Sequence, residues 1–85
     1  MIGYALQWSV FRSHGLRVVI FVDDHEPAHV HVFGDGEAKI DLLGREDGPE
    51  LLWAVGMTRA DLRRAMRIVT EQQPYLLERW SEIHG

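Results

Sequence analysis

A chain of 85 residues, 46% of them hydrophobic and 26% charged, has room for one folded domain with a single core and is too apolar to be disordered. Its formal net charge of −4 argues against a general affinity for nucleic-acid phosphates. The absence of cysteine excludes disulfides, thiolate metal sites and cysteine nucleophiles, and it fits the cytoplasmic location that we expect for this protein.

The N-terminal part of the chain is predicted to form two strands. Residues 1–9 have a loose alternation of apolar and polar positions, which predicts either an extra edge strand or an arm packed on the domain. Residues 10–12 and 16–22 then form strand, turn and strand, with the turn at residues 13–15. The second of these strands reads LRVVIFV and is apolar on both faces, so we expect it to be central in the sheet.

A second hairpin is predicted around the loop Gly34-Asp35-Gly36. A three-residue loop sets the following pairs: Phe33 with Glu37, Val32 with Ala38, His31 with Lys39, Val30 with Ile40 and His29 with Asp41. This register puts apolar side chains on one face and polar side chains on the other, whereas a slip of one residue inverts every side chain. It also predicts a positive φ at Gly36.

The C-terminal part of the chain has a helical pattern after a short strand at residues 51–55. Thr58 is a natural N-cap with Asp61 three residues later, so the helix is expected to begin within two residues of Thr58. Pro74 lacks a backbone donor, which predicts a break or bend at Gln73–Pro74.

The predicted fold is α+β, with residues 1–85 as a single domain. An antiparallel meander of four or five strands is covered on one face by a C-terminal helix that is kinked or split at Pro74. The apolar sheet face is expected to pack on the helical segment, through Val18, Ile20, Val30, Val32 and Ile40 against Leu62, Val69, Leu76 and Trp80. Trp53 and Tyr75, like Trp80, are predicted to lie in the core or at its edge.

Several separated motifs occur in an order that is typical of one bacterial family. The segments are DDHEPAHVHVFGDGEAKIDL, LLWAVGMTRADLRRAMRIV and LLERWSEIHG. Over roughly residues 10–85 the chain resembles the domain-of-unknown-function 4160 family, with Ala28 in place of a second proline. The matching residues are Asp24, His25, Glu26, Pro27, His29, Val30, His31, Val32, Glu37, Ala38, Lys39, Leu76, Leu77 and Trp80. The resemblance implies a small cytoplasmic protein, often encoded beside another small protein in pairs that look like toxin–antitoxin modules, and it carries over no catalytic residues.

The polar face of the second hairpin is a candidate catalytic site. His29, His31, Lys39 and Asp41 together offer a base, an acid and a cation, which is what a small ribonuclease needs. The predicted register places His29 opposite Asp41, so we expect a hydrogen bond between them, directly or through one water. The alternative is that these residues are ordinary polar side chains on a solvated sheet face.

A metal site is a second interpretation of the same histidines. His25, His29 and His31 supply three imidazoles, and Asp24 or Asp41 could add a carboxylate, a ligand set that zinc, nickel or iron accepts. The position of His25 on a loop weakens this set, and our prediction is that the protein has no metal and no other cofactor.

Four arginines form a candidate binding surface on the helix. Arg59, Arg63 and Arg67 recur every four residues, with Arg64 adjacent, and form what we call the arginine stripe. The stripe is either a contact surface for RNA phosphate or an acidic partner, or a solvated helix face.

Two functional hypotheses follow. In the first, the protein is an interaction module, half of a toxin–antitoxin-like pair, which binds a cognate small protein encoded by the neighbouring gene, with sheet edges suited to strand addition. In the second, it is a small ribonuclease or phosphodiesterase toxin that uses His29 and His31 as acid and base, with Lys39 and Asp41. RNA and a second copy of the chain are further candidate partners. No membrane association is expected, because no apolar run reaches the roughly 18 residues that cross a bilayer.

Overall fold

A computed structural model describes residues 7–85 of the chain. Within that range a single antiparallel sheet with strands in chain order is followed by two helices. The strands are β1 (Gln7–Ser13), β2 (Leu16–Phe21), β3 (His29–Phe33), β4 (Glu37–Asp41) and β5 (Glu50–Val55). The helices are α1 (Arg59–Glu71) and α2 (Gln73–His84), and a 3-10 turn at Arg45–Asp47 precedes β5. The predicted α+β meander with helices after it is therefore confirmed.

The two N-terminal strands form as the sequence predicts, with small differences at their ends. Residues 7–9 of the predicted arm form the start of β1, while residues 1–6 lie outside the described residues. The second strand, β2, pairs with both β1 and β3 and is central in this part of the sheet. Val18 and Val19 point to opposite faces of β2 and are both fully buried, which explains why the strand is apolar throughout.

The β3–β4 hairpin has the predicted register, with all five predicted Cα pairs present. The predicted positive φ at Gly36 is wrong, because positive φ occurs at other glycines and not here. Gly36 is instead needed for close packing. A Cβ at this position would lie 2.1 Å from the carbonyl oxygen of Val55 and 2.4 Å from the carbonyl carbon of Gly56. The end of β5 therefore passes directly over the hairpin loop.

The core lies between one face of the sheet and the two helices. Its buried apolar residues are Leu16, Val18, Ile20, Val30, Val32, Ala38, Ile40, Leu42, Ala65, Ile68, Val69, Leu76 and Trp80. The helices separate at Gln72, with Pro74 in the first turn of α2, so the predicted break is confirmed. Trp80 is in the core as predicted, whereas Trp53 and Tyr75 are exposed. No helix between residues 7 and 85 is long and apolar enough to cross a membrane.

The N-terminus of α1 is capped as the sequence predicts. The Thr58 hydroxyl oxygen accepts a hydrogen bond from the backbone N–H of Asp61 at 3.0 Å. Thr58→Ala should lower the free energy of unfolding by about 1 kcal/mol, since it leaves this N–H without its side-chain acceptor. Urea denaturation followed by circular dichroism measures the change, and Thr58→Ser, which keeps the acceptor, is the control. Equal midpoints for Thr58→Ala and the wild type would show that this cap does not stabilise the helix.

Candidate functional site

The loop of residues 22–28, which joins β2 to β3, folds back over the histidines of β3. The Nδ1–H of His29 donates to the carbonyl oxygen of Pro27 at 2.9 Å. The Nε2 of the same ring lies 2.8 Å from Oδ2 of Asp24. The His29 residue is only 5% exposed, so it does not lie on the solvated face that one interpretation of the sequence predicted.

The predicted hydrogen bond between His29 and Asp41 is wrong. The two residues are Cα partners across the hairpin, as expected, but both ring nitrogens of His29 already have partners in the 22–28 loop. The Oδ1 atom of Asp41 is instead buried without a hydrogen-bond partner among residues 7–85. The carboxylate that contacts His29 therefore comes from Asp24 in the 22–28 loop and not from Asp41 on the neighbouring strand.

His31 is held between two carboxylates. Its Nδ1 lies 2.8 Å from Oε2 of Glu37, and its Nε2 lies 3.5 Å from Oδ2 of Asp24. The ring also meets the Phe21 ring edge-on, with centroids 4.8 Å apart. Sequence reasoning missed Glu37, although the register contains the signal: Glu37 pairs with Phe33, which makes it a diagonal neighbour of His31.

One ligand atom from each of Asp24, His29 and His31 lies within 4.8 Å of the others, and we call this group the histidine cluster. His25, the third imidazole of the predicted metal set, is exposed and is not in this group. The carboxylate that completes the cluster is Asp24, one of the two candidates that the sequence offered.

Three of the four predicted catalytic residues line one cleft of about 520 Å³. They are His29, Lys39 and Asp41, and the cleft is closed by part of the 22–28 loop and by Leu52. His31 is linked to this cleft through its contact with Asp24. The cleft thus combines three carboxylates, two imidazoles and a lysine at the edge of the histidine cluster.

Helix α2 holds the loop in place from the other side. The indole N–H of Trp80 donates to Oε2 of Glu26 at 2.9 Å, and the Trp80 ring lies 5.2 Å from the His29 ring. Glu26 belongs to the 22–28 loop, so a C-terminal core residue supports the loop that carries Asp24. The sequence pattern alone does not indicate this contact, because the two residues are far apart in the chain.

The arginine stripe lies on a different side of the molecule. Arg59, Arg63 and Arg67 are exposed on α1, whereas Arg64 is less exposed and donates to Oδ1 of Asp61 at 2.9 Å. Helix α1 packs on the face of the sheet that carries Val30 and Val32, and the histidines point to the opposite face. The stripe and the histidine cluster therefore do not form one continuous surface.

A second candidate site is β5, the last strand of the sheet. Among the described strands it pairs only with β4, so its outer edge is open there. Most of its side chains are large, apolar and exposed, namely Leu51, Leu52, Trp53 and Val55. Trp53 pairs with Lys39 and Leu51 pairs with Ile40, which leaves Leu52 as the extra residue of a β-bulge.

Comparison with known proteins identifies the family of this chain but no individual similar protein. The chain matches no curated protein and no solved structure. A family model described as Domain of unknown function (DUF4160) matches residues 15–81. The matched range contains the histidine cluster, β5 and nearly all of both helices. Because the match extends over well more than half of its length, this chain belongs to the DUF4160 family of domains of unknown function.

Proposed function

We propose that the protein is an interaction module that binds an extended segment of a partner protein along β5. The observation that supports this proposal is the composition of the β5 edge. Natural edge strands are usually short or protected by charged residues and proline, whereas β5 has a single charged residue, Glu50, and four exposed apolar ones. We further propose that the partner is the small protein encoded by the neighbouring gene, in a toxin–antitoxin-like pair.

Strand addition uses both the backbone and the side chains of such an edge. The N–H and C=O groups on the outer edge of β5, which pair with no other described strand, provide hydrogen bonds to the partner backbone. Trp53 and Val55 point to the outer face of the sheet, because they pair with Lys39 and Glu37, and Val55 is 68% exposed. Alternate side chains of the added strand would pack beside them, which gives the contact its specificity.

The charges around β5 define the partner segment more closely. Glu46 and Asp47 are exposed just before the strand. The cation beside them, Arg45, lies 3.9 Å from the Glu50 carboxylate, and Asp35 is exposed beside Val55 at the other end of the strand. The whole chain carries a net charge of −4. We therefore expect an apolar segment with lysine or arginine on both sides, since such charges oppose the acidic residues at the ends of β5.

Binding to the purified product of the neighbouring gene tests the proposal. A Trp53→Lys/Val55→Lys double variant should weaken binding by at least about thirtyfold, because loss of a buried anchor costs about 2 kcal/mol or more. Tyr75→Lys is the matched control, since Tyr75 is as exposed as Trp53 but lies on α2. Amide exchange of β5 should slow on binding. Unchanged affinity in the double variant, or unprotected β5 amides, would contradict strand addition.

The ribonuclease hypothesis is the second candidate, because His29, Lys39 and Asp41 line one cleft. The geometry of the histidine cluster supports the ribonuclease hypothesis less well than the β5 edge supports the interaction module. Both ring nitrogens of His29 are bonded within the protein, so neither is presented to a substrate in this arrangement. A toxicity on induction that disappears in a folded Lys39→Ala variant, and persists in Trp53→Lys/Val55→Lys, would favour the enzyme over the module.

A further inference from the structure

In place of the sequence-based prediction that the protein has no metal, we infer that Asp24, His29 and His31 form a binding site for a divalent transition-metal ion. The ligand atoms would be Oδ2 of Asp24 and Nε2 of each histidine. Two imidazoles and one carboxylate on a single centre are a ligand set that Zn²⁺, Co²⁺, Ni²⁺ and Fe²⁺ accept. Metal binding would require no partner protein, although Trp53 of β5 lies beside the site, with its ring centroid 6.1 Å from that of His31.

The spacing of the three atoms suits a metal ion. Oδ2 of Asp24 lies 2.8 Å from Nε2 of His29 and 3.5 Å from Nε2 of His31. With metal–ligand bonds of about 2.1 Å, neighbouring ligand atoms are about 3.0 Å apart at right angles and about 3.4 Å apart at the tetrahedral angle. These two distances to Asp24 bracket those of a coordination sphere. The three ligand atoms together lie within 4.8 Å of one another, so the two histidine rings have to rotate towards each other to centre the ion.

Hydrogen bonding at His29 directs a lone pair into the cluster. A carbonyl oxygen can only accept, so the contact with Pro27 places the proton on Nδ1 of His29. In the neutral ring Nε2 then carries a lone pair, and it faces a carboxylate oxygen of Asp24 that has only lone pairs as well. The space between them takes a positive charge, either a proton or a metal ion.

His31 repeats this arrangement with a different supporting group. Its Nδ1 is bonded to the Glu37 carboxylate, so in the neutral ring Nε2 presents its lone pair to Asp24. Metal-binding histidines commonly donate their other ring N–H to a backbone carbonyl or a carboxylate, which fixes the tautomer and the ring orientation. Here Pro27 provides the backbone carbonyl for His29 and Glu37 provides the carboxylate for His31, which makes Glu37 a positioning residue.

The neighbouring cleft leaves room for further ligands. A site with three protein ligands keeps at least one position open for water or an anionic oxygen ligand. The buried Oδ1 of Asp41 has no hydrogen-bond partner within residues 7–85, and Asp41 lines the cleft together with Asp24 and His29. A metal-bound water in this cleft would supply the donor that the oxygen lacks.

Titration of untagged, chelator-treated protein with Zn²⁺ and Co²⁺ tests the inference. We expect one ion per chain by calorimetry, a visible Co²⁺ ligand-field spectrum that Zn²⁺ abolishes, and a higher melting temperature with metal. Asp24→Asn should weaken binding by at least about a hundredfold and Glu37→Gln by about 10–100-fold. Asp24→Asn keeps the shape of the side chain, so it guards against misfolding, which His29→Ala risks.

His25→Ala is the matched control, because His25 is an exposed histidine on the same loop that lies outside the cluster. It should bind both ions as the wild type does. Failure of the wild type to bind one ion per chain would overturn the inference. Binding that persists in Asp24→Asn but is lost in His25→Ala would also overturn it, since that result indicates adventitious binding by exposed histidines.

Discussion

Trp80→Ala is expected to lower the free energy of unfolding by about 3–5 kcal/mol, which is the largest effect of any single substitution proposed for this protein. The residue is 3% exposed and belongs to the core between the sheet and the helices. Its indole ring also packs against His29 and His84, with centroids 5.2 Å and 3.8 Å away. Removal of the ring leaves a cavity in the core and releases the 22–28 loop from α2.

The control for this substitution separates packing from hydrogen bonding. Trp80→Phe keeps most of the buried ring but cannot donate to Glu26, so its effect should be smaller, at about 1.5–3 kcal/mol. Guanidinium denaturation followed by far-UV circular dichroism measures both variants. If Trp80→Ala unfolds at the same denaturant concentration as the wild type, α2 is not docked on the sheet in the way described.

Gly36→Ala is expected to lower the free energy of unfolding by about 3 kcal/mol, at the upper end of what overpacking costs. The new methyl group would lie 2.1 Å from the Val55 carbonyl oxygen, and this neighbour is backbone, which cannot rotate away as a side chain could. Either the β3–β4 loop or the end of β5 has to move. We therefore expect increased amide exchange at Val55 and Gly56 in addition to the lower stability.

Gly48→Ala is the matched control, because a Cβ at Gly48 meets nothing within 4 Å and the residue has a φ of −101°, which any residue adopts. Its stability should remain within about 0.5 kcal/mol of the wild type. Chemical denaturation of the three proteins under identical conditions gives the comparison. Equal midpoints for Gly36→Ala and Gly48→Ala would rule out the close approach of β5 to the hairpin loop.

The hairpin register was predictable because one strong periodic pattern determines it. Val30, Val32, Ala38 and Ile40 must share a buried face, and a slip of one residue would put the apolar residues of one strand on the opposite face from those of the other. The reason for glycine at position 36 was not predictable in the same way. Both a positive φ and a close neighbour require glycine, and the neighbour is on a strand whose path the local sequence does not specify.

The partners in the histidine cluster depended on tertiary structure. Regular alternation identified His29 and His31 as residues on one face, but the 22–28 loop has no periodicity, so the position of Asp24 over that face could not be derived. The exposure of Trp53 also depends on tertiary structure that the local sequence does not specify. An apolar strand residue is buried only if another element covers it, and β5 is the last described strand, where Trp53 is left exposed.

The order of elements along the chain has a consequence for protein synthesis. Each described strand pairs with its predecessor, so the sheet closes only short loops and can assemble early, while the chain is still attached to the ribosome. The residues that cover its apolar face, among them Leu76 and Trp80, are translated after all five described strands. Until these residues leave the exit tunnel, the apolar face of the sheet stays exposed to chaperones and to other nascent chains. A ribosome that stalls within the codons for α2 would therefore hold a sheet that is formed but not yet protected from aggregation.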